Sequence, residues 1–195
     1  LVMIKLLIFD LWGTITEISA FGPAMRKMGF IGTEDKERKT AKTIMRRRFK
    51  SEKDLLKALC KEFDREYSDA LFEQYKKAFE GPKTFFPEAL SVLKKLRKRY
   101  KLALLSNICQ TPINTGLLDD VPPLFDRVYF SCDEGLIKPD PEIFFKIIND
   151  FDVKKEEAVV IGDRIEDDIV GAKKAGIRCI LIDRRNKYPD FKGEK

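Results

Sequence analysis

Three short apolar runs punctuate the chain, each closed by a polar residue: Leu6 to Phe9 before Asp10, Leu102 to Leu105 before Ser106, and Val159 to Ile161 before Gly162-Asp163. Unbroken apolar runs of this length suit strands buried on both faces, so they predict parallel strands. Weaker runs at Arg127 to Ser131 and Cys179 to Ile182 predict two more. Between them the apolar spacing becomes helical, over Pro87 to Tyr100, Pro141 to Phe151 and Glu166 to Ala175. Proline stands near the start of the first two, where its missing N–H is not needed. Strands alternating with helices predict an α/β fold, a doubly wound parallel sheet whose ligands gather at the carboxyl ends of the strands. Asp10, Ser106 and Asp163 all fall at such ends.

From about Ser19 to Gly81 the pattern differs. This stretch is rich in Lys and Glu, and Leu55, Leu56, Leu59, Cys60 and Phe63, then Leu71, Phe72, Tyr75 and Phe79, recur at helical spacing. It predicts a small all-helical cap, residues 17–81, inserted into a core made of residues 1–16 and 82–195. The turn residues Gly13 to Thr16 and Gly81-Pro82 mark its edges. A chain of 195 residues has room for one such core with an insertion, but hardly for two full-sized domains.

Composition narrows the chemistry. With no histidine in the chain, Ser-His and Cys-His nucleophile pairs and histidine-bound metals are excluded, leaving carboxylates, Lys, Tyr or Cys as acids and bases. Cys60, Cys109, Cys132 and Cys179 are scattered without a CxxC pair, which favours free buried thiols over a zinc site or a disulfide framework. A net charge of +6 suits a small anionic substrate but is mild for a nucleic-acid binder, so no nucleic acid is expected. The basic run Arg46-Arg47-Arg48-Phe49-Lys50 reads first as the solvated face of a cap helix and second as a lure for an anion. No run is long enough to span a bilayer, and the apolar start is too short for a signal peptide. A cytoplasmic protein without a membrane partner is expected. The oligomeric state is left open.

An Asp directly after a buried strand and just before Gly13 and Thr14 is a carboxylate at a turn that offers backbone N–H groups. It can cap that turn, attack a substrate or bind a metal. Asp163 repeats the arrangement, and with Glu166, Asp167 and Asp168 it crowds acids at the start of a helix. Such acids repel one another unless a cation or the helix terminus stabilises them; hard oxygen ligands favour Mg²⁺, and helix capping is the alternative. Ser106-Asn107 can donate to an oxyanion at the same edge, and Lys138 can add a positive charge, although Ser-Asn is also an ordinary turn and Lys-Pro an ordinary surface pair.

The segments Ile8 to Thr14, Leu105-Ser106-Asn107, Gly135 to Phe144, and Gly162-Asp163 through Asp168 to Gly171-Ala172 together resemble the four successive motifs of the haloacid dehalogenase (HAD) superfamily. The helical insertion sits where that family carries its cap. The resemblance implies that Asp10 attacks the substrate, that Ser106 and the Asn107 amide hold its oxygens, and that Lys138 neutralises charge between nucleophile and phosphate. It also implies that Asp10, Asp163 and the backbone carbonyl of Trp12 ligate Mg²⁺, that Asp168 sits at or just behind the metal, and that Thr14 orders the loop around Asp10.

Trp12 departs from the pattern. Phosphatases of the family usually carry a second Asp there, which protonates the leaving oxygen and later activates water. An indole cannot shuttle a proton at neutral pH. Dehalogenases of the family also lack that Asp, but they need no metal and their fourth motif is poor in acids. The acid-rich fourth motif here therefore favours a magnesium-dependent phosphatase, slow or restricted to good leaving groups. A 2-haloacid dehalogenase and a catalytically weak binding or regulatory protein are the alternatives.

Overall fold

Successive side chains of a strand point to opposite faces of its sheet, and here that alternation sorts the core into two apolar layers. The computed structural model describes residues 2–17, 25–80, 84–116 and 118–195. Strands β1 (Leu6–Phe9), β2 (Lys101–Ser106), β3 (Arg127–Phe130), β4 (Ala158–Gly162) and β5 (Arg178–Leu181) form one parallel sheet in the order β3-β2-β1-β4-β5. Helices α1 (Glu34–Ile44), α2 (Glu52–Glu62), α3 (Asp69–Lys77) and α4 (Ala89–Leu96) lie between β1 and β2. Short α5 (Thr111–Asn114) follows β2, α6 (Ser131–Glu134) follows β3, α7 (Pro141–Asp150) precedes β4, and α8 (Val170–Lys174) precedes β5.

Leu7 and Phe9 of β1 join Leu102, Leu104, Val159 and Ile161 in one layer, covered by Ala89 and Leu93 of α4. Leu6 and Ile8 join Ala103, Leu105, Ala158 and Val160 in the other, covered by Ile143, Phe144 and Ile147 of α7 and Ala172 of α8. Each large side chain so buried contributes roughly 1.5–3 kcal/mol. Because β1 pairs with β2 on one side and β4 on the other, the winding reverses beside it. The crevice at its carboxyl end is the place where such sheets hold ligands.

All five strands lie where the apolar runs predict them. The strand expected to reach Ser131 ends at Phe130, because the Ser131 hydroxyl accepts from Ile108 N–H at 2.9 Å and the chain turns into α6. The α-helix expected over Glu166 to Ala175 is corrected in its first half. Ile165–Ile169 is a π-helical turn, and only Val170–Lys174 is α-helical. Periodicity cannot see this difference, because the extra residue in the turn is set by side-chain bonds to the site.

Helices α1, α2 and α3 are capped by Thr33, Ser51 and Ser68, whose hydroxyls each accept a backbone N–H of the first turn. They bury a cluster of their own, with Leu55, Leu56, Leu59, Cys60, Leu71, Tyr75 and Phe79 at its centre. Cys109, from beyond β2, packs into that cluster. Of the expected cap edges, Gly13 to Thr16 is described, whereas Gly81-Pro82 and the start of the charged stretch at Ser19 lie outside the described residues. Close to them the outgoing and returning connections run side by side, with Glu17 N–H donating to Thr84 O at 2.8 Å and Thr16 bridged to Phe85.

The basic run is corrected too: Arg46 to Lys50 lies past the end of α1, in the connection to α2, and is not a helix face. Arg46 pairs with Asp140, Arg48 with Asp133, and Arg47 stacks over Phe49 at 4.7 Å, so two of its charges are tied to core carboxylates. All four cysteines are free thiols, three buried and Cys179 half-buried. Among the described residues no helix is long and apolar enough to cross a membrane.

Candidate active site

Asp10 emerges from the central strand with its N–H still bonded to Ile161 O of β4 at 2.9 Å, so its carboxylate starts from a fixed base. The chain then turns tightly, with Ile15 N–H on Leu11 O at 2.9 Å and Gly13 N–H on Thr16 O at 2.7 Å. Gly13 has φ +82°, and a Cβ there would come within 2.2 Å of Asp163 Oδ2. Only glycine allows both the left-handed backbone and that approach. Thr14 lies in the same turn with its hydroxyl 3.5 Å from Asp10 Oδ2, a long contact.

Lys138 arrives from the loop between α6 and α7 and is 3% exposed. Its ammonium donates to Asp10 Oδ1 at 2.6 Å, Asp168 Oδ1 at 2.6 Å and Leu105 O at 3.1 Å, so all three of its protons are engaged. Asn107 holds the lysine backbone from both sides: its side-chain oxygen accepts Lys138 N–H at 2.9 Å, and its amide donates to Lys138 O at 3.0 Å. The Asn107 side chain is thus committed to the lysine. Ser106, at the end of β2, is wholly buried, and its hydroxyl has no hydrogen-bond partner among the described residues.

Asp168 is brought inward by the π-helical turn. Both its N–H and that of Ile169 reach Arg164 O, at 2.9 and 3.3 Å, and its Oδ2 accepts Arg164 N–H at 3.0 Å. Gly162 gives it room, since a Cβ there would stand 2.3 Å from Asp168 Cγ. Widened turns of this kind recur at functional sites. Of the crowded acids, Asp163 and Asp168 face Asp10, whereas Asp167 pairs with Arg164 at 3.1 Å and Glu166 is exposed.

Asp10, Asp163 and Asp168 each offer an oxygen, and the three oxygens lie within 4.8 Å of one another. Asp163 Oδ1 is buried without a hydrogen-bond partner among the described residues. With every group ionised, three carboxylates face one ammonium, a surplus of two negative charges. Burial, helped by Asp168 and Asp163, raises the Asp10 carboxyl to about 7 despite the opposing lysine. Burial, then Asp168, raises Asp163 to about 6. For Lys138 burial favours the neutral amine, but Asp10 and Asp168 outweigh it and hold the proton above the ordinary lysine range. The cluster therefore lacks positive charge, and an orphaned oxygen, an all-carboxylate donor set and a surplus of two charges fit a hard divalent cation such as Mg²⁺.

Trp12 lies in the same turn, and its half-buried indole packs on the apolar layer that includes Phe9. Two other contributors carry no motif. Glu52 at the start of α2 accepts from Gln110 at 3.0 Å, from Asn114 at 2.6 Å and from the Thr111 hydroxyl, tying the insertion to the segment after Ser106-Asn107. Arg184 reaches Thr14 O. Neither has a sequence signal, because each depends on segments brought together by the fold.

The sequence model of the haloacid dehalogenase-like hydrolases matches residues 4–176. A glyceraldehyde 3-phosphate phosphatase of Methanopyrus kandleri is 35% identical over 108 residues, covering 54% of this chain and 46% of that protein. The chain spans about half the length, or less, of the curated relatives it matches. The crystal structure of a 2-haloacid dehalogenase from Pseudomonas syringae pv. Tomato DC3000 superposes with a TM-score of 0.66 at 26% identity, over 97% of this chain and 91% of that one. A HAD family enzyme from Bacteroides thetaiotaomicron, solved with magnesium and inorganic phosphate, gives 0.68 at 21% identity over 95% and 97%. Known structures of this fold thus include magnesium complexes.

Proposed function

For a chain that belongs to the haloacid dehalogenase-like hydrolase family, we propose the activity of a magnesium-dependent phosphatase that acts through an aspartyl-phosphate at Asp10 on a small phosphorylated substrate. The observation that carries this reading is the cluster of Asp10, Asp163 and Asp168 around the buried Lys138, with its surplus of negative charge. The Methanopyrus kandleri relative, named for a phosphorylated metabolite, supports the substrate class.

Lys138 holds Asp10 Oδ1 and leaves Oδ2 the less engaged oxygen. In the proposed reaction that oxygen bonds to phosphorus as the ester P–O bond breaks, and water then hydrolyses the acyl phosphate to restore the carboxylate and release phosphate. Ser106 Oγ, without a partner among the described residues, donates to a phosphate oxygen at the end of β2, beside the lysine charge. Bound by Asp10 and Asp163, with Asp168 beside them and the Trp12 carbonyl as a further ligand, Mg²⁺ would offset the surplus charge so that a phosphate dianion can approach. Trp12 offers no proton to the leaving oxygen, so aryl and acyl phosphates are the better substrates. Residues 17–81 act as a cap over this edge of the sheet. The free thiols support a cytoplasmic location.

Hydrolysis of p-nitrophenyl phosphate is expected to require Mg²⁺ and to vanish in Asp10→Asn, whose amide is neither a competent nucleophile nor an anionic ligand. Activity retained in that variant would remove Asp10 from the centre of the reaction. A second reading, 2-haloacid dehalogenase, is favoured by Trp12 itself and by the Pseudomonas syringae neighbour. Cleavage of a 2-haloacid without metal would establish it.

A further inference from the structure

Arg184 follows β5 and lies outside all four motifs. Its guanidinium makes three contacts at once. Nη2 donates to Thr14 O at 3.1 Å, Nη1 pairs with Glu88 Oε1 at 2.5 Å, and Cζ stands 3.8 Å from the centre of the Phe86 ring. The side chain is 30% exposed. Thr14 belongs to the nucleophile turn, while Phe86 and Glu88 lie on the returning connection from the inserted helices. Backbone bonds already join these two segments, with Phe86 N–H on Ile15 O at 3.0 Å and Glu17 N–H on Thr84 O at 2.8 Å. Arg184 closes the arrangement from the side of β5. A planar fork can serve a carbonyl, a carboxylate and an aromatic face together, and the point charge of a lysine cannot.

We propose that Arg184 is a positioning residue: by holding the Thr14 carbonyl and the root of the returning connection, it fixes the turn that aims the Asp10 carboxylate. The kinetic consequence rests on the phosphatase reading; the hold on the turn does not. The competing account is a surface ion pair with Glu88 alone, which typically contributes little. Glu88→Gln separates the two, since it removes the ion pair and leaves the Thr14 bond and the Phe86 stack.

The test compares Arg184→Ala, Arg184→Lys and Glu88→Gln with the parent, with thermal unfolding as a check of folding. The first readout is kcat and KM on p-nitrophenyl phosphate with Mg²⁺. The second is acrylamide quenching of Trp12, the single tryptophan of the chain, which lies two residues before Thr14. Arg184→Ala is expected to lower kcat by about tenfold to a hundredfold, within the loss a misplacement of about 1 Å produces, with KM little changed. Added methylguanidinium should restore part of that loss, Arg184→Lys should remain closer to the alanine variant than to the parent, and Trp12 should become more quenchable. Glu88→Gln should leave both readouts near the parent. Unchanged kcat and quenching in a folded Arg184→Ala, or equal damage from Glu88→Gln, overturns the proposal. A parent without Asp10-dependent turnover would sink the phosphatase reading instead. The quenching comparison would then decide the role of Arg184, unchanged quenching counting against it and increased quenching for it.

Discussion

Replacing Lys138 by methionine keeps most of the buried stem and deletes the ammonium that three oxygens share: Asp10 Oδ1, Asp168 Oδ1 and Leu105 O. Asp10, Asp163 and Asp168 are then left facing one another with no protein cation inside the cluster. Removing one partner of a buried ion pair costs about 3–5 kcal/mol, because the remaining charge is stranded. At roughly 2–4 °C per kcal/mol for a chain of this size, the metal-free variant should unfold on the order of 6–20 °C below the parent. The sign of the pH dependence follows from the raised carboxyls. Asp10 and Asp163 already titrate near 7 and 6 in the folded protein, above their ordinary 3.8. The folded state therefore binds more protons than the unfolded state through this window, and stability falls as pH rises from about 4 to about 7. Loss of the lysine pushes both groups further up, so the deficit should be small near about pH 5 and largest near about pH 8. Mg²⁺ should recover part of it. Calorimetry at the two pH values, with and without Mg²⁺, measures all of this. A metal-free Lys138→Met protein that matches the parent in melting temperature near pH 8 would refute the charge argument.

Asp163→Asn should raise the Mg²⁺ concentration needed for half-maximal phosphatase activity and leave saturated activity partly recoverable; a magnesium titration checks it, and an unchanged requirement counts against Asp163 as a ligand. Trp12→Asp should raise turnover of alkyl phosphates more than of aryl phosphates, by up to the roughly 10²–10⁴ that general acid-base assistance supplies, less whatever is lost where the indole packed. A folded, magnesium-binding variant with no gain on alkyl phosphates would show that the proton is not what limits the parent.

The strands were legible because their chemistry is local. Leu6 to Phe9 can be read as a buried strand without knowing its neighbours, and the polar residue that ends each run falls at the sheet edge where ligands collect. Asp10, Lys138, Asp163 and Asp168 meet as the order of the motifs implies. The first half of the helix after β4 was not legible, because the π-helical turn is set by Asp168 bonding Arg164 N–H and Lys138, contacts that no apolar period encodes. The run Arg46 to Lys50 reads as a solvated helix face because its carboxylate partners, Asp133 and Asp140, lie more than eighty residues away in the chain. Arg184 carries no sequence signal for the same reason, since its three partners come from two distant segments.

Trp12 and the acid cluster pull the choice of reaction in opposite directions, and charge decides between them. A metal-free dehalogenase must admit a carboxylate-bearing substrate to Asp10, yet here Asp10 shares its pocket with Asp163 and Asp168 against a single ammonium. Without a further cation that pocket repels an anion, whether haloacid or phosphate, and Asp10 within it ionises reluctantly. Trp12, by contrast, removes only a proton donor, which affects how fast a poor leaving group departs and leaves the approach of the substrate untouched. In the proposed phosphatase, then, the surplus charge sets the reaction class and the indole sets the choice among its substrates: rates across a series of phosphates should fall steeply as the leaving group becomes more basic, and Trp12→Asp should flatten that slope.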